Sequence, residues 1–395
     1  MICPSKVIFM LITSGVTMLF TGCADYLPRA NGPENEIQVF VAQNDLDAAK
    51  ELLDKILSRV SIDVKQELYY LIKYRDPSQF EQLKSRHNII LFAITGGVDD
   101  DGDRLLNQLI SKGNLGTYLG DDQVWVMDDL FAVGQVVTII KGNNINELRS
   151  DPKLKGNWLF DQFDARYLER IADHLYDINE LTDKTLEIFN HYGWTVRVPH
   201  DFLIIEEDRL ANFIKLGRDY PLRWFSVHWV ENKDEVSLQP NSVRSIIRNL
   251  AKRFFDTYHF IETKSRPWVL SQIKVNDREM WRVEGRWEAK SETVTKGGPF
   301  ISYIFYDNIT NQIYHMNMLL FNPGGKKLAF LREMEAMART FTVDYHKPTQ
   351  VSLTRKVLIA SSIILILVLL SLRSTWKRQK RLTQNKLDKA KKSEF

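Results

Sequence analysis

The sequence predicts an α+β protein: antiparallel sheets with helices packed on one face, in two closely packed subdomains, with one further helix crossing a membrane near the C-terminus. Three observations predict it. Short strand-like apolar runs alternate with amphipathic helical stretches, and no repeated strand–helix unit with a phosphate-binding loop is present. Residues 357–372 contain no charge, proline or glycine. The remainder of the 395 residues has an ordinary globular composition, 44% hydrophobic and 26% charged, long enough to bury a sizeable core.

The first element is a leader. Lys6 precedes an apolar stretch over 7–20, which is short for a membrane span and has the length of a signal h-region. It ends in Leu19-Phe20-Thr21-Gly22-Cys23, similar to a bacterial lipobox, with Phe20 where an aliphatic residue is usual. Residues 1–22 are therefore expected to be removed and Cys23 to carry lipid. A plain signal peptide, or an uncleaved anchor with Cys23 incidental, is the alternative. Cys3 would leave with the leader, so the mature chain would have no thiol for a disulfide. Residues 23–35, with Pro28, Gly32 and Pro33, read as a lipidated tether.

The first subdomain is expected over 36–193. Residues 37–41 read as a strand, followed by a helix capped by Asn44 or Asp45 with Leu46, Ala49, Leu53, Ile56, Leu57 and Val60 on its apolar face. Strands are expected at 68–74 and 88–94, then a pair at 124–127 and 136–140 joined around Gly134. A helix over 158–176 follows, and a second from Thr182 ends at Gly193, which suits a left-handed cap. The second subdomain, 194–345, has expected strands at 196–205, 212–216 and 224–230. Asn241 or Ser242 caps a helix whose apolar face is Val243, Ile246, Ile247, Leu250, Phe254 and Phe255. Strands at 268–273, 278–290, 300–307 and 312–321 follow, with turns at Asn276-Asp277 and Asp307-Asn308, and a last helix over 325–341.

Residues 346–356 form a juxtamembrane linker. As a helix, 357–372 would span about 24 Å, short of a hydrocarbon core of roughly 30 Å. Arg355, Lys356 and Arg373 can snorkel to cover the shortfall, and Trp376 suits the far interface. A buried core helix or a cleaved sorting tail are the alternatives. The tail, 373–395, carries nine basic residues against Asp388 and Glu394. The positive-inside rule places it in the cytoplasm and the body on the periplasmic side of the inner membrane, in preference to the outer membrane. The chain's net charge of +3 thus belongs to the tail, and the body is not expected to bind nucleic acid.

No catalytic motif stands out, no cofactor is expected, and catalytic residues are not assignable. Gly297-Gly298-Pro299-Phe300, beside Arg286 and Trp287, is the candidate binding surface; a β-bulge or hairpin corner explains the same glycines. Arg244, Arg248 and Lys252 recur on one helix side, either as a lipid-facing stripe or as a solvated face. Asp99, Asp101 and Asp103 resemble half a calcium loop, but Gly97 and Gln108 occupy ligand positions, so a helix-capping acidic loop is the simpler reading. His191, His200, His228 and His259 have no metal-ligand spacing, and no metal is expected. Trp194, Trp224, Trp229, Trp268, Trp281 and Trp287 suit either a ligand platform or sheet packing.

The body also resembles a known family. Val283-Glu284-Gly285-Arg286-Trp287, Gly297-Gly298-Pro299-Phe300 with Ser302 and Asp307, Pro323, Lys326, Lys327, Leu331, Glu335 and Ala336, and Val198-Pro199-His200-Asp201-Phe202 carry the likeness, over roughly 37–341. The chain is similar to an uncharacterised family of Bacteroidota envelope lipoproteins, a domain of unknown function. The resemblance implies an N-terminal lipid anchor and an α+β envelope domain, and no activity. The expected function is a non-enzymatic binding or scaffolding module with an envelope protein partner. The alternatives are an envelope hydrolase or transferase using Asp307 or His200, and a sensor coupled to the basic tail.

Overall fold

Three almost wholly buried strands organise the first half of the chain. β1 (Glu36–Val41), β3 (Asn88–Ile94) and β5 (Val136–Gly142) are near-continuous apolar runs, as expected of strands covered on both faces. With β2 (Leu71–Arg75) and β4 (Val124–Asp128) they form a five-stranded sheet of order β2-β1-β3-β5-β4. β2, β1, β3 and β5 run parallel, and only β4 is antiparallel to its neighbour. One face packs against α1 (Leu46–Leu57) and α5 (Trp158–Asp177) through Leu53, Leu57, Leu159 and Phe163. The other packs Phe40, Ile89 and Leu91 against Phe80 of α2 (Phe80–Leu83) and Leu106 and Leu109 of α3 (Asp101–Ser111). The short α4 (Ile145–Ser150) is capped by the Asn144 side chain.

The second sheet is wholly antiparallel. Its strands are β6 (Leu203–Asp208), β7 (Phe213–Arg218), β8 (Leu222–Glu231), β9 (Tyr258–Ile261), β10 (Val269–Val275), β11 (Arg278–Ala289), β12 (Gly297–Asp307) and β13 (Gln312–Phe321). The order is β10-β11-β12-β13-β8-β7-β6, with β9 also pairing β11. α7 (Pro240–Phe254) covers one face with Val243, Ile247 and Leu250. It starts at a capping box between Gln239 and Ser242, with Pro240 in the first turn, so the cap lies two residues before Asn241, the earlier of the two expected caps. The other face packs Ile301, Tyr303, Met316 and Met318 against Ile188 of α6 (Thr182–Tyr192) and Leu331, Met334 and Met337 of α8 (Leu328–Ala338). α6 ends at Gly193 in the left-handed region, φ 73°. α5 of the first layer packs on α8 of the second, so a helical layer lies between the sheets.

The computed structural model describes residues 27–63, 65–95, 101–111, 122–177, 180–232, 238–255, 258–289, 296–346, 364 and 367–377. The chain divides into two units, Met1–Asp344 and Tyr345–Phe395. Both sheets belong to the first. In the second, 364 and 367–377 are helical, with exposed Leu367, Val368 and Trp376.

The fold corrects the sequence expectation in four respects. The architecture is mixed α/β, because the first sheet is mainly parallel. Helices cover both faces of both sheets, not one. Among the described residues, no helix is long and apolar enough to cross a membrane, which overturns the expected span at 357–372. Of that stretch only 364 and 367–372 are described, and the helix there continues into the polar residues Arg373, Ser374, Thr375 and Lys377. The leader 1–22, Cys23 and most of the basic tail also lie outside them. Residues 196–202 are not a strand; Val196 and Val198 are core residues of an irregular segment, so period-two burial there misleads.

A buried amide joins the first sheet to its helix. Asn88, fully buried on β3, donates to the Glu34 and Glu36 carbonyls at 2.7 and 2.9 Å and accepts from Arg170 of α5 at 3.1 Å. Asn88→Ala takes the amide donor from the Glu34 and Glu36 carbonyls and one acceptor from Arg170, which keeps the Gly134 carbonyl, with an expected cost of about 1–3 kcal/mol. Chemical denaturation against the wild type checks this.

Candidate functional site

Charges placed in apolar patterns mark the helical layer between the sheets. α8 reads Leu-Ala-Phe-Leu-Arg-Glu-Met-Glu-Ala-Met-Ala, and Arg332 and Glu335 lie within its buried stripe. On β11, Arg282 and Glu284 share a face with core residue Met280. α5 contributes Asp164, and the chain leading into β2 contributes Tyr69, both buried.

These groups form one network. Arg282 donates through Nε to Glu335 Oε1 at 2.6 Å and through Nη2 to the Tyr69 hydroxyl at 3.0 Å, and it pairs with Glu284. Tyr69 donates to Glu284 at 3.1 Å. Arg332 donates to Glu335 Oε2 at 2.6 Å and pairs with Asp164. Arg339, just past α8, stands 3.5 Å from the other oxygen of Asp164. Tyr303 of β12 donates to Glu335 at 2.8 Å. Burial alone would raise the Glu335 carboxyl, but Arg282 and Arg332 outweigh it and hold it down at about 2. Burial opposes the Arg282 and Arg332 charges, and their carboxylate partners hold both guanidiniums well above their ordinary value. Burial pushes the Tyr69 and Tyr303 hydroxyls up, which keeps them protonated as donors.

A cleft of about 530 Å³ opens beside this network. One wall is strand β10, residues 269–274; the other is the segment 58–62 after α1 with Phe160 and Asp161 of α5. Arg282, Arg332 and Arg339 line it together with Arg59 and Lys274, against three carboxylates, Asp161, Asp164 and Glu284. Arg59 makes no ion pair among the described residues; it bonds Asn157 and stacks 3.8 Å from the Phe160 ring centre. Burial lowers the Arg59 guanidinium, and burial raises the Asp161 carboxyl, with the Arg59 charge partly offsetting the latter. Among the described residues, no group of three histidines, cysteines or carboxylates is placed to hold a metal.

The residues singled out from the sequence lie elsewhere. Trp287 and Phe300 are each 1% exposed and pack in the core with Gly298 and Pro299, while Arg286 and Gly297 are half-buried. A Cβ at Gly298 would sit 2.0 Å from the Leu320 carbonyl of β13, so only glycine lets the strands close there. Phe300 faces Gly285 across the β11–β12 pair and fills the space its missing side chain leaves. Pro299 is buried in the same strand. Arg244 and Arg248 pair with Glu262 at 2.8 and 2.7 Å, which makes them internal ties more than a lipid-facing stripe; Lys252 is exposed. Asp307 is 2% exposed and accepts from Arg278, Ile309 and Thr310, as a turn-capping carboxylate does, and His200 is exposed. Asp101 and Asp103 begin α3, while Asp99 lies outside the described residues. His228 and His315 face each other on β8 and β13, and burial pushes them down to about 4 and about 3. His191 is exposed. Trp194, Trp229, Trp268 and Trp287 are buried and Trp224 and Trp281 partly so, which is the packing reading. The sequence reading missed the cleft, although a charged pair three residues apart within an apolar helical stripe signals it.

The Glu335 shift has a sign that can be tested. Its folded value lies below the ordinary 4.5, so its stabilisation is complete above pH 4.5 and is lost as pH falls toward about 2. Glu335→Gln is expected to cost about 3 kcal/mol at neutral pH, because Arg282 and Arg332 keep Glu284 and Asp164 but lose the buried carboxylate they share. It should also flatten the loss of stability between pH 4.5 and 2, read by denaturant titration across that range.

No curated protein matches the chain. Among solved structures it is similar to the Ran-binding protein Mog1p of Saccharomyces cerevisiae, at 12% identity and a TM-score of 0.27, over 38% of this chain and 90% of that one. It is similar in the same proportions to a point mutant of protein Mog1, at a TM-score of 0.26. Likenesses at this level carry neither fold nor role to this chain. The family resemblance is narrower than the 37–341 read from the sequence and leaves the parallel sheet outside it. Residues 180–340, from the start of α6 to the end of the antiparallel layer, match the family described as a domain of unknown function (DUF4837).

Proposed function

We propose that the protein is a non-enzymatic binding module of the bacterial cell envelope, held at a membrane by lipid on Cys23 with its body facing the periplasm. Its ligand site is the cleft between β10 and the 58–62 segment. The observation that carries this reading is the Arg59 guanidinium at the wall of that cleft, which makes no direct ion pair among the described residues. Arg282 and Arg332 are satisfied by Glu284, Glu335 and Asp164, whereas Arg59 stands in the field of Asp161 and Asp164 without pairing directly with either. A partly desolvated guanidinium with spare donors binds a carboxylate or phosphate strongly. Among the described lining residues, neither Ser58 nor Ser271 has a histidine or cysteine beside it in the wall, which supports binding over nucleophilic catalysis.

Photo-crosslinking in cells tests the site. A photoreactive residue replacing Val60 or Lys274 should give discrete protein adducts, and one replacing Arg253 on α7 should not. Adducts from the α7 face alone would overturn the assignment. Arg59→Ala should weaken the cleft adducts about tenfold, the scale of one charge-assisted hydrogen bond. The anchor has its own check. Cys23→Ala is expected to abolish incorporation of labelled palmitate and release the body from the membrane fraction, and retained label would refute it.

A further inference from the structure

We propose that the ligand of this cleft is an extended peptide carrying a carboxylate, and that it binds by adding a strand to the open edge of β10. This rests on the cleft being the binding site and goes beyond it by naming the ligand class and the mode of capture.

β10 ends the order of the second sheet, and β11 is its one ladder partner among the described residues. The orientation of its backbone follows from the turn. Asn276 and Asp277 both have positive φ, 47° and 63°, and form a two-residue connection between Val275 and Arg278, which are paired. In such a hairpin the pair next to the turn is bonded in both directions, and bonding alternates from there. Ser271, Ile273 and Val275 therefore bond to β11. Leu270, Gln272 and Lys274 aim their N–H and C=O groups at the open edge. Those three residues lie on the cleft wall.

An open edge of this kind is a template for another strand, and proteins ordinarily blunt it with proline, a bulge or inward charge. β10 has no proline, its register with β11 is unbroken, and its one charge is Lys274 at the turn end. The rim supplies contacts for side chains that alternate along a bound strand. Val269 is 49% exposed, and across the cleft Val60 and Leu68, bridged to each other, are 41% and 42% exposed. Arg59, with no direct ion pair among the described residues, sets the remaining preference: a carboxylate within the added segment reaches it. Six residues of β10 offer about 20 Å of edge, enough for a short linear motif.

Linear peptides displayed on phage, panned against the full chain in detergent, provide the probe. Selected sequences should alternate apolar and polar residues and include Asp or Glu. Hydrogen exchange should show new protection at the Leu270, Gln272 and Lys274 amides when a selected synthetic peptide binds. Gln272→Pro removes one outward N–H and no ladder bond to β11, so it should keep the melting temperature and weaken the peptide at least about tenfold. Equal binding by wild type and Gln272→Pro, or protection absent from those amides, overturns strand addition. If cleft adducts from Val60 survive in Gln272→Pro cells, the binding site stands and only the mode of capture fails. Failure to select any peptide, or edge protection that requires self-association of the chain, also overturns the proposal.

Discussion

Glu335 is the group on which the two halves of the structure meet. It is fully buried, it accepts from Arg282 on the second sheet, from Arg332 on its own helix and from Tyr303, and Arg332 continues to Asp164 on the helix of the first sheet. A carboxylate in such a place is tolerable only when every oxygen is met, and guanidiniums there need their counter-charges in turn. The network therefore specifies how the α5–α8 layer is assembled more than it stabilises that layer. A slip of one helix along the other would leave several charges without partners at once. Apolar packing alone would tolerate such a slip far more readily.

The same constraint explains why the cleft is where it is. The ion network, in which both Glu335 oxygens are met, forms its floor. Arg59 and Asp161 stand at its margin, where the balance of charge is no longer complete. Above them, segment 58–62 and strand β10 are built from different layers, and neither completes the other's backbone bonding among the described residues. A polar base beneath an incomplete backbone wall is the arrangement from which a peptide site can be built without any catalytic group.

Much of the fold was legible in the sequence, and the failures have identifiable causes. The helix ending at Gly193, the strands at 88–94 and 312–321, and the Asn276-Asp277 turn follow from glycine conformation, apolar runs and turn chemistry. The parallel sheet was present in the text of β1, β3 and β5, whose near-continuous apolar runs indicate burial on both faces. Reading strands one at a time hides that, because pairing direction is a property of crossovers. The Gly297–Phe300 motif drew attention for a sound reason, a close backbone approach, but the approach is to β13 inside the core. The cleft was hidden because Tyr69, Asp164, Arg282 and Glu335 are far apart in sequence, and charges look like solvated surface until their neighbours are known.

The sequence distance between the partners of the buried network also bears on how the chain is made. Arg332 and Asp164 are separated by 168 positions, and Tyr69 and Arg282 by 213. Synthesis delivers the residues from the N-terminus, so Asp164 is made well before its ion-pair partner Arg332. α8 arrives almost last in the unit and closes the assembly. Contacts of such separation are slow to form, because a long loop must close before they offer any return. The first sheet must therefore persist as an unfinished half with a polar seam, and that seam is wettable. The buried charges that make the finished protein exacting also keep its precursor from exposing a purely greasy face to its neighbours.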